Sequence, residues 1–229
     1  MPWVCSKCLR TSEVFCSWII LSFLIGGFLT RETVPANNSC LFTSINYVLE
    51  DRRTPDLTCA PAFRELIASV VRSDQEKYTS GFLGRSNDDY CAWILDENSW
   101  GGGIELAILS DYFKIEITVV DTQNVRLNHF GEDQNHKHRC LLIYDGIHYD
   151  PLVMEASDGS GARKTRFDRS DESVLTLALE LAAEAKASRQ FTDVHSFTIR
   201  CLVCQKCFKG QTEAQEHAKQ TKHINFGEV

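Results

Sequence analysis

Four residues near the C-terminus constrain the fold more tightly than any others. Cys201 and Cys204 have two residues between them, His217 follows after twelve more and His223 after a further five. A hairpin followed by a helix presents ligands at this spacing to a single tetrahedral zinc ion, two as thiolates and two as imidazoles. The spacing predicts a ββα finger over residues 199–229, with Phe208 in its core and a helix over 211–220. So short a segment buries too little apolar surface to fold unaided, and the metal supplies the missing free energy. Cys207 lies outside the pattern and reads as a spare thiol.

Such fingers often bind DNA, but the charge of this chain argues against that use. A single finger reads about 3 base pairs, and residues 189–229 carry six Lys or Arg against four Asp or Glu. The whole chain has a net charge of -7 and a pI near 5.5, whereas coating a phosphate backbone needs a cationic surplus. No nucleic-acid partner is expected, and the finger reads instead as a protein-recognition module.

With 229 residues, 43% of them hydrophobic, the chain has material for one sizeable core besides the finger. Its ten cysteines are not arranged as a secreted disulfide framework. Cys59, Cys91 and Cys140 sit among apolar neighbours and read as small buried hydrophobes. Residues 14–29, VFCSWIILSFLIGGFL, carry no charge and follow Lys7 and Arg10, the order of a signal peptide or signal anchor. A membrane span needs about 20 residues and secretion conflicts with free thiols elsewhere, so residues 1–28 read equally as an anchor or as a buried or unstructured apolar leader, from an alternative transcript or a gene-model artefact.

Periodicity organises the remainder. In SCLFTSINYVLED, helical spacing places Leu41, Ile45, Val48 and Leu49 on one side, with Asn37, Asn38 and Ser39 as turn and capping residues. APAFRELIASVVRSD reads as an amphipathic helix from about Pro61 with Phe63, Ile67, Val70 and Val71 inward. A further helix is expected at 87–96, and WGGGIELAILSDYF gives a glycine turn and another helix. KIEITVVD alternates Ile115, Ile117 and Val119 as a strand, and strands are expected at 125–130 and 139–145. The continuous apolar run in RCLLIYDG predicts a strand buried on both faces. The polar segment 153–173 reads as a long loop or linker. It leads into a strong helix capped by Ser170 or Asp171, with Lys186 and Arg189 at its end.

Cys40 therefore stands at a helix start, where free N–H groups and the helix dipole favour a thiolate. His148 and Asp150 are two apart in an extended segment, so their side chains share one side. A cysteine, a histidine and a carboxylate so placed are the parts of a thiol acyl-transfer site. Each also has a plain structural reading, His148 as a core histidine and Asp150 before Pro151 as a turn residue. Only the fold can join a nucleophile and base so distant in sequence.

The motifs VPANNSCLFTSI, YCAWI, WGGGIELAIL, VVDTQ and LLIYDGIHYDPL, in this order, resemble the ovarian-tumour (OTU) family of cysteine deubiquitinases. Within it, the chain is most similar to the ubiquitin thioesterases that end in a single finger of the two-cysteine, two-histidine type. The resemblance runs from Leu29 to Val229. It implies an α/β (α+β), papain-like catalytic domain, with a central sheet flanked by helices, over 29–155. Residues 156–198 would complete that domain as a loop and long helix, and a finger would follow. It does not extend to residues 1–28, where that subgroup carries a UBX-like domain, so docking to the valosin-containing AAA ATPase is not implied for this chain.

By the same resemblance Cys40 is the nucleophile and His148 the general base of a thiol-dependent ubiquitin isopeptidase acting on polyubiquitin and ubiquitinated proteins. The loop Val34, Pro35, Ala36, Asn37, Asn38, Ser39 would meet the substrate and supply backbone N–H groups for the oxyanion. Ile147 would line the channel for the ubiquitin tail, although plain core packing explains it equally. Trp100 before Gly101–Gly103 reads as a structural turn beside the site. Residues 169–174 would touch a second ubiquitin in a chain, unless they are simply a solvated cap. The subgroup has aspartate where this chain has Asn37, and it lists that aspartate as catalytic. Asp150 is the other candidate for orienting His148, leaving Asn37 to contribute its peptide N–H. Reduced thiols place such a protein in the cytosol. Two rival readings remain, a weak ubiquitin-binding module motivated by Asn37 and a nucleic-acid-binding finger.

Overall fold

The apolar run around Cys140–Ile143 forms the strand on which the fold is built. In the computed structural model, which describes residues 27–190, 198–221, 223 and 226–228, this strand is β4 (His138–Tyr144). It runs parallel to β2 (Glu116–Asp121) and antiparallel to β5 (Tyr149–Ala156). With β1 (Gly27–Arg31) beside β5 and β3 (Arg126–Phe130) beside β2, the order is β1-β5-β4-β2-β3. Successive side chains of β4 point to opposite faces, and both faces are covered. Cys140 and Leu142 join a core with α1 (Cys40–Leu49), α2 (Ala60–Ser73), α3 (Ser80–Leu83), α4 (Asn87–Leu95) and α5 (Gly103–Phe113). Leu141 and Ile143 pack with α6 (Ser173–Ala187). The architecture is the expected mixed α/β one, a central sheet flanked by helices. Cys59, Cys91 and Cys140 are buried as expected.

Several local expectations are corrected by packing. α1 has no solvent side to speak of: Cys40–Ile45, Tyr47 and Val48 are all buried, because α1 packs against β5, β4 and α2 together. Its polar Ser44 is accommodated by donating to the Tyr149 carbonyl at 2.9 Å. β2 does not alternate between core and solvent either, since Glu116 and Thr118 are as buried as their apolar neighbours. A buried carboxylate needs partners, and Glu116 has Arg139 Nε at 3.1 Å and Arg169 Nε at 2.9 Å.

The expected linker over 153–173 is crossed by three stretches of sheet. Val153–Ala156 complete β5, β6 (Arg163–Lys164) pairs with β5, and β7 (Arg166–Asp168) pairs with β4. Its polar composition hid one anchor, Phe167, which is 1% exposed. Thr165 Oγ1 ties the segment to the Val48 carbonyl at 2.8 Å. Neither expected residue is the N-cap of α6. Glu172 holds that position without a side-chain cap bond, and Asp171 Oδ1 accepts from the Ser173 N–H at 3.2 Å.

Gly27 and Phe28, expected in the leader, are strand residues opposite Ala156 and Glu155. The rest of that expectation lies outside the described residues. Among the described residues, no helix is long and apolar enough to cross a membrane. The C-terminal unit contains β8 (Thr198–Cys201), β9 (Cys207–Lys209) and α7 (Gly210–Thr221). A third strand, β10 (Phe226–Glu228), pairs with β8 and extends the expected ββα pattern.

Candidate active site and metal centre

Cys40 is the first residue of α1, 8% exposed, and the loop before it is tied down bond by bond. Asn37 Oδ1 accepts from the Ser39 N–H at 2.9 Å, an Asx turn. The Cys40 N–H reaches the Asn37 carbonyl at 3.3 Å, and Thr43 N–H opens the helix on the Ser39 carbonyl at 3.0 Å. Ser39 makes no side-chain cap. The Asn38 carbonyl is held by Arg64 Nη2 at 3.1 Å. The same guanidinium donates to the carbonyls of Ile94, Glu97 and Ser99. Arg64 is 3% exposed, so one buried cation links the Cys40 loop to the loop after α4.

His148 is set by a second loop, the β4–β5 turn. Gly146 takes φ of 110° there, a conformation costly for any residue with a Cβ. Asp145 Oδ1 accepts from the N–H groups of Ile147 at 3.3 Å and His148 at 2.9 Å. The ring then meets its neighbour two residues on, with Nε2 3.0 Å from Asp150 Oδ1. Asp150 is fully buried, and its carboxylate also accepts from the Val34 N–H at 2.8 Å and Arg31 Nε at 2.6 Å.

These contacts set the electrostatics. Burial alone would raise the Asp150 carboxyl, but the bonds from His148, Val34 and Arg31 together hold it below the usual carboxylate range. His148 is raised to about 10, first by Asp150 and then by its interaction with Cys40, against the opposing effect of burial. With Asp150 at Nε2, the other ring nitrogen is left for Cys40. The structural thiol Cys140, by contrast, is pushed by burial to about 12 and is inert. A thiol at a helix start, an imidazole against it and a buried carboxylate behind the ring form a nucleophile, base and orienter.

Beside Cys40 lies a cleft of about 100 Å³ lined by Asn37, Asn38, Leu41, Trp100, Gly101, Gly102, Tyr144, Ile147 and Tyr149. Ile147 is 36% and Trp100 54% exposed, so neither is a packed core residue. The turn reading of Trp100 is thereby extended, because its Nε1 donates to Asn38 Oδ1 at 2.6 Å while its indole borders the cleft. A Cβ on Gly101 would collide with Leu41 Cδ2 and stand 3.1 Å from Phe42 Cζ, which explains a glycine against the start of α1.

Of the expected substrate loop, Val34 is buried and its N–H is taken by Asp150, so it supports the site rather than facing a ligand. Pro35, Ala36 and Asn37 are exposed, and Asn38 and Ser39 partly so. The Asn37 side chain turns onto its own loop. Sequence reasoning missed Arg31 and Arg64. Arg31 has no local signal, since its two acceptors lie 119 and 114 residues away. Arg64 did have one: helical spacing puts it on the same face as Ile67 and Ala68.

In the C-terminal unit, one ligand atom from each of Cys201, Cys204, His217 and His223 lies within 4.8 Å of every other. His217 Nε2 stands 3.4 Å from Cys204 Sγ, and His223 Nδ1 is buried without a hydrogen-bond partner. Four such donors suit a tetrahedral zinc ion with bonds of about 2.0 to 2.3 Å. Phe208 packs its ring 4.6 Å from that of His217, and Cys207 stays outside the cluster.

The family model of OTU-like cysteine proteases matches residues 35–154. The model of the C-terminal C2H2-type zinc finger of ubiquitin thioesterase OTU1 matches residues 195–229. Over 201 residues the chain is 56% identical to ubiquitin thioesterase OTU1 of Gallus gallus, covering 88% of this chain and 66% of that protein. It is 55% identical to the Homo sapiens protein of the same name over 88% of this chain and 58% of that one. The chain thus spans about three fifths of the length of these relatives. Among solved structures, an OTU domain in complex with ubiquitin is similar with a TM-score of 0.63 and 34% identity, over 72% of this chain and 90% of that one.

Proposed function

Since the chain belongs to the family of OTU-like cysteine proteases, we propose that it is a cysteine-type ubiquitinyl hydrolase with Cys40 as nucleophile, His148 as base and Asp150 as orienter. The observation that carries this reading is the His148 ring held at 3.0 Å by the buried Asp150 while it interacts electrostatically with Cys40 at the start of α1. His148 holds the thiol proton, and the thiolate attacks the carbonyl carbon of the C-terminal glycine of ubiquitin. The N–H groups of Val34, Ser39 and Cys40 are already bonded within the protein. Those of Asn37 and Asn38, on the cleft, remain as oxyanion donors. The lysine amine departs with the proton from His148, and water then hydrolyses the thioester. The narrow cleft between Trp100 and Ile147 suits a glycine tail and excludes larger side chains.

The substrates are polyubiquitin chains and ubiquitinated proteins, with misfolded or dislocated proteins as the physiological source by family analogy. Residues 169–174 serve as a contact for a second ubiquitin. The cytosol is the compartment, because the thiol nucleophile and the zinc thiolates both require reducing conditions. Cys201, Cys204, His217 and His223 hold zinc as a structural ion, fixing the finger and taking no part in hydrolysis. Ubiquitin bearing a C-terminal propargylamide tests the assignment. A covalent adduct mapped by mass to Cys40 is expected, and an unmodified Cys40 in folded protein would refute it.

A further inference from the structure

Arg31 closes β1 at the edge of the sheet, opposite Leu152 in register, and the Glu32 N–H continues the ladder to the Pro151 carbonyl at 3.0 Å. The backbone therefore fixes where this guanidinium sits. Its Nε donates to Asp150 Oδ2 at 2.6 Å and its Nη2 to Asp145 Oδ2 at 3.2 Å. Each carboxylate uses its other oxygen on His148: Asp150 Oδ1 meets the ring Nε2 at 3.0 Å, and Asp145 Oδ1 takes the backbone N–H at 2.9 Å.

We propose that Arg31 is a positioning residue of the site, joining through one planar fork the carboxylate that orients the His148 ring and the carboxylate that fixes the turn carrying it. This rests on Cys40 and His148 acting as nucleophile and base. Arg31 touches neither of them, so it acts through Asp150 and Asp145. The fork geometry matters, since a lysine ammonium is a point charge and cannot present two parallel donors along one edge to two different acceptors. Around His148 stand Asp150 from β5, Cys40 from α1 and Asp145 from the turn, with Arg31 the cation that bridges the two carboxylates. Without it, Asp150 loses its only guanidinium partner among the described residues and the turn loses this tie to the sheet edge.

The test uses the full 229-residue chain and reads the thiol directly. Iodoacetamide alkylation of Cys40, located by peptide mass, is followed from about pH 5 to about pH 9, since only the thiolate reacts. Turnover of a fluorogenic ubiquitin C-terminal amide is measured alongside. For Arg31→Gln, alkylation near neutrality should slow about ten-fold and kcat fall by roughly 10- to 100-fold with KM unchanged. Arg31→Lys should recover only a small part of this, and added guanidinium should restore Arg31→Gln in part. A folded Arg31→Gln protein with parental alkylation profile and kcat would overturn the proposal. If Arg31→Gln does not fold, Asp145→Asn cuts the other arm, and parental values there overturn it equally. Alkylation requires no ubiquitin. A parent chain with a reactive Cys40 that never cleaves ubiquitin would refute the hydrolase reading, while the alkylation profile would still decide the role of Arg31.

Discussion

The state of His148 at neutral pH depends on Asp150 more than on any other group. The folded pKa lies above the ordinary 6.5, at about 10. The imidazolium form therefore stabilises the fold in full below the unfolded value, and this contribution is lost as pH rises through the folded one. Titration of the ring protons by NMR should show a midpoint near the folded value, and Asp150→Ala should bring it back towards the ordinary range. The same substitution leaves Arg31 without its buried partner and the ring without its orienter, so kcat should fall by about 100-fold or more. Asn37 makes the opposite case. Its exposed side chain forms an Asx turn onto Ser39, which aspartate forms as well. Asn37→Asp should therefore change turnover by no more than about two-fold, the scale of a neutral surface substitution. A large gain would show that a carboxylate at this position has a role of its own.

At the scale of elements, the segment after β5 separates sheet from linker. Phe167→Ala should destabilise the domain of residues 27–190 by about 3 to 5 kcal/mol, read in urea denaturation, whereas a free linker would tolerate it. Gly101→Ala would place a Cβ against Leu41 and Phe42, both fully buried. Overpacking of this kind costs about 1 to 3 kcal/mol, and it should disturb the start of α1 and lower kcat as well. Most of the elements were legible in the sequence, because α2, α4, α5 and β4 carry their own periodicity or continuous apolar runs. What was not legible depends on distant partners. β1 was hidden in an apolar run that reads as a leader, β6 and β7 are too short and polar to carry a pattern, and the burial of Glu116 follows from Arg139 and Arg169. The site divides the same way: spacing placed Cys40 at a helix start and His148 beside Asp150, while Arg31 and Asp145 became visible only once β1 and β5 were paired.

At the scale of the molecule, two chemistries with different demands share the chain. The finger depends on its metal, so a strong chelator should collapse the amide dispersion of residues 198–228 in NMR spectra. The domain of residues 27–190 has two packed cores of its own, on either face of the sheet, and its melting should be unaffected by the chelator. A coincident loss of both would show that the domain relies on the finger. The central claim concerns Cys40 at the start of α1, His148 in the β4–β5 turn and Asp150 on β5. It is tested most directly by single-turnover cleavage of a fluorogenic ubiquitin C-terminal amide by the full chain beside Cys40→Ala. The account predicts turnover by the parent and none by Cys40→Ala. A folded, zinc-loaded parent that leaves the amide intact, or a Cys40→Ala protein that cleaves it, would contradict the account.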